Sequence, residues 1–444
     1  MRNPLLPTLL LLTLLSTTPL ARGQAITPVT LELTGDWQVQ VSGPQGRATL
    51  AVPPATIVTV TAEKHARLPL FNTKAWGGWQ KGDRLRGLIA QECANRGLLD
   101  PTSLQLRAGP EASAQRFELG KDYAAETEWG SIGRLPGGQI KENQPVWVDY
   151  RHALLRIDAV VLGRDGRIEL RQGEPDVTAP LPAALKDGDR RLANIFVAGR
   201  ISKLAPEHLF PILETAYPEP PRPSPTVAER LLPKTLEKLR TGKPLRILAW
   251  GDSVTVGSFV PDPDRNRWQA QFVTRLQERF PKAQIQLVTE AWGGRSTATY
   301  LAEPPGSVHN YKEKVLGAKP DLVVMEFVND AGLKPAQVED RYGKLLADFQ
   351  AIGAEWVILT PHYIRGDWMG LNRQREIDED PRPYVAGLRQ FAAAHQVPLA
   401  DASLRWGRLW RQGIPYSTLM LNAINHPDPR GMRLFADALM ELFP

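Results

Sequence analysis

Upstream of residue 216 the chain alternates apolar and polar positions with a period of two. Thr30–Leu33, Trp37–Val41, Ala48–Val52 and Ile57–Thr61 are such runs, separated by Gly or Pro. Alternation on this period turns one face of a strand toward a core and the other toward water. The theme returns at Val146–Tyr150, Leu155–Leu162 and, after the turn Gly163–Gly166, Arg167–Leu170. Together these runs predict a β-rich, sandwich-like domain. The spacing over Arg84–Leu99 predicts its one helical interruption. Downstream the rhythm changes. Short, mostly apolar runs at Leu245–Trp250, Ile285–Glu290, Asp321–Phe327, Trp356–Thr360 and Val397–Asp401 alternate with helical patterns, such as Trp268, Phe272, Leu276 and Phe280 on one face. Apolar strands alternating with helices predict a parallel sheet covered on both sides. A last helix carrying Met432, Phe435, Ala436 and Leu439 closes this α/β domain.

The seam between the two patterns is Ala216–Pro225, with five prolines among the eight positions 218–225. Such a segment can neither continue a helix nor lie in a central strand, so it reads as a stiff, extended connector. Leu231, Leu232, Leu236 and Leu239 follow at helical spacing, with Pro233 a point of kinking or restart. At the other end, Arg2 precedes an apolar stretch, Leu5–Leu15, and then small or polar residues up to Ala25. That charge, length and exit describe a secretory signal peptide. The expected division is therefore a signal peptide over 1–25, a β-rich domain over 26–215, a proline-rich linker and helix over 216–243, and an α/β domain over 244–444. A secreted or periplasmic protein follows, without a stable membrane anchor, since no later apolar run is long enough to span a bilayer.

Composition narrows the choices. Cys93 is the only cysteine, which rules out an intramolecular disulfide and any zinc site built on two or more cysteines. The formal charge of +6 is small for 444 residues, and the basic residues are dispersed without interleaved aromatics. No nucleic-acid groove is expected.

Four places can carry chemistry. Ser253 follows the first predicted strand, Gly293–Thr297 the second and Asn329-Asp330 the third, while His426 lies beyond the fifth and before the final helix. Residues after the strands of an open α/β sheet converge at its carboxyl edge, where such sheets bind ligands. Acyl transfer needs a hydroxyl nucleophile, a base for its proton and donors aimed at the developing oxyanion. Ser253, His426, the glycine pair and the amide of Asn329 supply those types. Each has a plainer reading alone: a turn for the glycines, a helix cap for Asn329-Asp330, a core or capping role for His426. Their order along the chain favours a site.

The four blocks resemble those of the SGNH hydrolase (GDSL esterase) superfamily over roughly Lys243 to Pro444. The resemblance implies a flavodoxin-like three-layer α/β/α fold. It makes Ser253 the nucleophile, His426 the base, and the N–H groups of Ser253 and Gly294 with the Asn329 side chain the oxyanion hole. No metal or organic cofactor is required. Gly294-Arg295-Ser296 is similar to the second block of the superfamily's carbohydrate acetylesterases, which implies an acylated carbohydrate substrate. Two positions depart from the pattern. Phe327 stands where the third block has glycine, and Ala423 stands where the fifth has the aspartate that orients the histidine. Asn422, Asn425, Asp428 or a backbone carbonyl are the candidates to replace that carboxylate. Arg295, His362, Tyr363, Arg365 and Trp368 are candidate sugar contacts, offering bidentate donors or aromatic faces. The expected activity is removal of acetyl or other small acyl groups from carbohydrate. The alternatives are a lipid esterase or lysophospholipase, and a non-catalytic glycan-binding protein on a decayed hydrolase fold.

Overall fold

The alternating runs fold as antiparallel strands in a computed structural model that describes residues 28–444; the expected signal peptide lies outside the described residues. Thr30–Gly35, Gln38–Gly43 and Gly46–Ala51 form a three-stranded sheet. Val39 and Val41 are buried and share one core with Val160, Ile195 and Val197. Those last residues belong to a four-stranded sheet ordered Ile168–Arg171, Arg156–Leu162, Arg190–Val197, Leu209–Pro211. A second four-stranded sheet joins Ile57–His65, Val146–Ala153, Leu99–Arg107 and Arg116–Phe117. The N-terminal half is therefore β-rich.

No helix forms over Arg84–Leu99. Asp83–Arg84 joins a small sheet, Arg86–Leu88 makes one 3-10 turn, and Ile89–Ala90 pairs with Cys93–Ala94 as a tight hairpin with Gln91 at φ 56°. Leu85, Leu88 and Cys93 still reach the core, so the helix-like apolar spacing is satisfied by three short pieces. The backbone N–H groups that a helix would need go elsewhere: Gly87 donates to the Tyr150 hydroxyl and Arg86 to the Glu63 carboxylate.

That carboxylate belongs to a buried charge cluster. His65 is almost fully buried between Glu63 Oε1 at 2.8 Å and Asp83 Oδ2 at 2.7 Å. Burial opposes its charge, but the two carboxylates outweigh burial and hold the imidazole up to about 9. A pKa raised on folding means that its stabilisation is complete below the unfolded value and is lost as pH rises through about 9. The urea midpoint should therefore fall between pH 6.5 and 9.5 in the wild type. In His65→Gln it should fall much less; equal slopes would refute the assignment.

The proline segment Pro218–Pro225 is exposed and without regular structure. Thr226 and Glu229 then cap a short helix, Val227–Leu231, reciprocally, and Pro233 starts a second, Pro233–Thr241, which ends at Gly242 with φ 76°. Leu236 and Leu239 bury its inner face.

Beyond it lie five parallel strands: β1 (Pro244–Gly251), β2 (Gln284–Ala291), β3 (Leu322–Glu326), β4 (Glu355–Leu359) and β5 (Leu399–Ala400). Their order is β2-β1-β3-β4-β5, the flavodoxin-like order, in which the chain reverses direction across the sheet between β1 and β3. Ile247 and Ala249 share a core with Phe272 of helix Trp268–Arg279 and Phe435 of helix Pro429–Met440. Leu248 and Trp250 point oppositely, to Tyr342 of helix Pro335–Ala351 and Leu388 of helix Pro383–His395. This gives a three-layer α/β/α domain. The β-rich half docks on it through Asn194 Nδ2 to Gly413 O at 2.6 Å and a backbone bridge between Ile212 and Gln412. No helix among the described residues is long and apolar enough to cross a membrane.

Candidate active site

β1 empties into Gly251-Asp252-Ser253, and only glycine fits at 251. A Cβ there would meet Thr255 Oγ1 at 2.1 Å and the Glu326 carbonyl at 2.5 Å. Ser253 opens a four-residue helical turn, Ser253–Val256, and is partly exposed. Beneath it Asp252 is fully buried and accepts three bonds: from Val254 N at 3.1 Å, Asn329 N at 2.8 Å and Asn329 Nδ2 at 2.8 Å. Glu326, the last residue of β3, is equally buried, with no hydrogen-bond partner for either oxygen among the described residues. Burial, then the charge of Asp252, raise Glu326 well above the carboxylate range, while burial lifts Asp252 to about 6. The carboxyl with three N–H donors keeps the negative charge near neutral pH and the unpartnered one keeps the proton. An ionised Asp252 thus ties the Ser253 turn to the Asn329 turn.

The donors for an oxyanion surround Ser253. Gly293 lies beside it, since a Cβ there would meet Ser253 Cβ at 3.7 Å. Gly294 takes φ 71° and faces open space, and its N–H, like that of Ser253, has no acceptor among the described residues. Asn329 is exposed, and one of its two amide hydrogens is held by Asp252, leaving the other free to donate. Phe327 is extended (φ −138°), so glycine is not required there. Its ring instead packs into the core, edge-on to Trp250 at 5.0 Å.

His426 reaches the same edge from the loop before the last helix, with Phe259 packed on its ring at 5.2 Å. No hydrogen bond joins it to Ser253 among the described residues. Such bonds commonly tighten only with substrate present. Its Nδ1 lies 3.0 Å from Oε1 of Glu92, at the tip of the Ile89–Ala94 hairpin in the β-rich half. Burial opposes the charge on Glu92, but hydrogen bonds from His426 and Asn422, with the histidine's charge, hold its carboxyl below the usual range. An ionised acceptor at Nδ1 fixes the proton there and leaves Nε2 as the basic nitrogen. Glu92 was not among the sequence candidates.

Those candidates divide. Asn422 supports the arrangement: Oδ1 accepts from the N–H groups of Ile424, Asn425 and His426, and Nδ2 donates to the same Glu92 oxygen at 2.9 Å. Its Nδ2 sits 3.1 Å from His426 Nδ1, two donors sharing one acceptor. Asn425 does not orient the imidazole, because its Oδ1 is taken by Asn422 and its carbonyl by His362. Asp428 does not either: it caps the last helix at Gly431 N and binds Arg430. Ala423 adopts φ 60°, a left-handed turn within the loop.

Two proposed sugar contacts are corrected. His362 is fully buried, with Nε2 bound to the Asn425 carbonyl at 2.8 Å; burial, then Arg382, hold it well below the usual imidazole value. It is a neutral strut beneath the His426 loop. Tyr363 is also fully buried, donating to the Ile377 carbonyl at 3.0 Å. Neither can reach a glycan. Arg295 is exposed over the Trp292 ring, and Trp368 is exposed as well. Arg365 is partly buried between Trp129 and Trp368, and its N–H bonds the Ile424 carbonyl beside His426. No group of three or more His, Cys, Asp or Glu among the described residues could hold a metal ion.

A β2-β1-β3-β4-β5 sheet with a serine after β1, and glycine, asparagine and histidine loops at its carboxyl edge, gives the α/β/α domain the layout of a hydrolase. Residues 249–434 match the GDSL-like Lipase/Acylhydrolase family. Among solved structures the chain is similar to a two-domain esterase (CEX) active on acetylated mannans, co-crystallised with mannopentaose. That likeness is 18% identity and TM-score 0.38, over 48% of this chain and 52% of that one. It is also similar to a member of the lipolytic protein G-D-S-L family from Veillonella parvula DSM 2008, at 20% identity and TM-score 0.34, over 45% and 98%. TesA is matched at 19% identity and TM-score 0.33, over 45% and 98%. The chain thus spans about half the length of the two-domain esterase. No curated protein matches it.

Proposed function

We propose that the protein is a secreted or periplasmic serine esterase that removes acetyl or similarly small acyl groups from carbohydrate, with Ser253, His426 and Glu92 as its triad. The observation that carries this reading is the Glu92–His426 bond of 3.0 Å, which restores an orienting carboxylate where Ala423 lacks one. His426 Nε2 takes the Ser253 proton as Oγ attacks the ester carbonyl carbon, and Glu92 stabilises the imidazolium that forms. The N–H groups of Ser253 and Gly294 and the free amide hydrogen of Asn329 hold the oxyanion; each such donor contributes about 2.7–4 kcal/mol in a measured case. Collapse expels the sugar oxygen, which takes the proton from His426. Water, deprotonated by His426, then attacks the acyl-serine and releases the acid. Arg295 and Trp368, exposed at this edge, suit a hydroxylated substrate better than an acyl chain. Secretion rests on the sequence of residues 1–25.

Acetyl, butyryl and octanoyl 4-nitrophenyl esters test the substrate class. We expect kcat/KM to fall by about tenfold or more from acetyl to octanoyl, one tenfold step being ~1.4 kcal/mol. A rise instead would establish a lipid esterase.

A further inference from the structure

Large aromatic side chains are normally buried, and those left bare on a surface mark contacts. Trp76 is 74% exposed and Trp368 is 41% exposed. They come from different halves of the chain, yet their rings lie 5.5 Å apart at 54°. Behind them Trp76 meets Trp79 edge-on, Trp79 packs on Trp129 at 4.6 Å, and the Arg365 guanidinium lies over both Trp129 and Trp368 at 4.7 and 4.8 Å. The contacts close into a ring, so the two exposed indoles sit on a fixed base. Asp367 binds Arg365 at 2.6 Å and Arg96 of the β-rich half at 3.2 Å, both at the platform's margin.

The platform adjoins the candidate active site. Arg365 N–H bonds the Ile424 carbonyl at 2.8 Å, two residues from His426. The charge of Arg365 also bears on Cys93, next to Glu92 in its hairpin. Indole faces rimmed by charged groups complement a ring with apolar C–H faces and hydroxyl edges. We propose that Trp76 and Trp368 form a subsite for a pyranose ring of the glycan that carries the acyl group, a reading that rests on the carbohydrate esterase assignment. The β-rich half would then supply a substrate-binding indole as well as Glu92.

Binding and turnover test this separately. Full-length Ser253→Ala protein is titrated calorimetrically with manno-, xylo- and cello-pentaose, with and without Trp76→Ala. At least one pentaose should bind, and Trp76→Ala should weaken it about tenfold or more, while Trp76→Phe retains most of the affinity. With Ser253 intact, Trp76→Ala should raise KM for an acetylated glycan at least fivefold more than KM for 4-nitrophenyl acetate. Equal effects on both esters, or no pentaose binding by a folded protein, would overturn the subsite. In that case acetyl ester hydrolysis by the wild type would leave the esterase reading standing. Trp76-dependent pentaose binding without any esterase activity would sustain the subsite and remove the esterase.

Discussion

Ser253→Ala is expected to lower kcat for an acetyl ester by about 10⁶-fold, the cost of removing the nucleophile in a measured serine hydrolase. The covalent step disappears with the hydroxyl, and what remains is the stabilisation offered by the oxyanion donors to attack by water. The loss should not come from misfolding. The Ser253 side chain is partly exposed, and its hydroxyl makes no hydrogen bond among the described residues, so unfolding temperatures should agree closely. A fluorophosphonate probe should label the wild type at Ser253 and leave the variant unlabelled. Wild-type protein that neither takes the probe nor cleaves an acetyl ester would leave the glycan-binding alternative. Variant protein that still turned over would place the nucleophile elsewhere.

The serine, glycine and asparagine blocks were legible because they hang on strand ends, and β1 and β3 were legible because both their faces are buried. Ile247 and Leu248 are apolar for two different helix layers, and the sequence pattern reports that. What escaped depended on contacts distant in sequence. His362 and Tyr363 follow β4 and therefore looked like crevice residues, but the His426 loop folds over His362, and Tyr363 is buried against Tyr416 with its hydroxyl on the Ile377 carbonyl. Asp428 had the right chemistry five residues too late, and the last helix uses it as a cap. Glu92 gave no signal at all. It lies 330 residues from Asn422, its partner across the domain boundary, in a segment whose apolar spacing mimics a helix. A single carboxylate in a two-residue turn has no signature of its own. The one legible clue was negative: Ala423 left the imidazole without the aspartate expected there.

Glu92→Gln should accordingly reduce kcat by about 10³- to 10⁴-fold while KM for a small acetyl ester changes little. The amide preserves shape and solvation and removes the charge. It can also present its NH₂ to His426 Nδ1, which then serves as acceptor and places the imidazole proton on Nε2, where the base is needed. Partial exposure of the carboxylate favours the lower end of that range. Glu92→Asp should recover part of the rate, limited by the shorter reach, and formate added to Glu92→Ala should recover some of it by occupying the vacated site. Neither rescue is expected of a residue that merely holds the domains together. Interface loss should instead lower the unfolding temperature and raise KM for glycan esters. Asn422→Ala separates the two roles further. Its Oδ1 organises the turn that carries His426 and its Nδ2 shares the Glu92 oxygen, so it should cost both stability and rate, whereas Glu92→Gln costs rate alone. If Glu92→Gln retains more than a third of wild-type kcat, the orienting acceptor is not Glu92 and His426 works as one half of a dyad with Ser253.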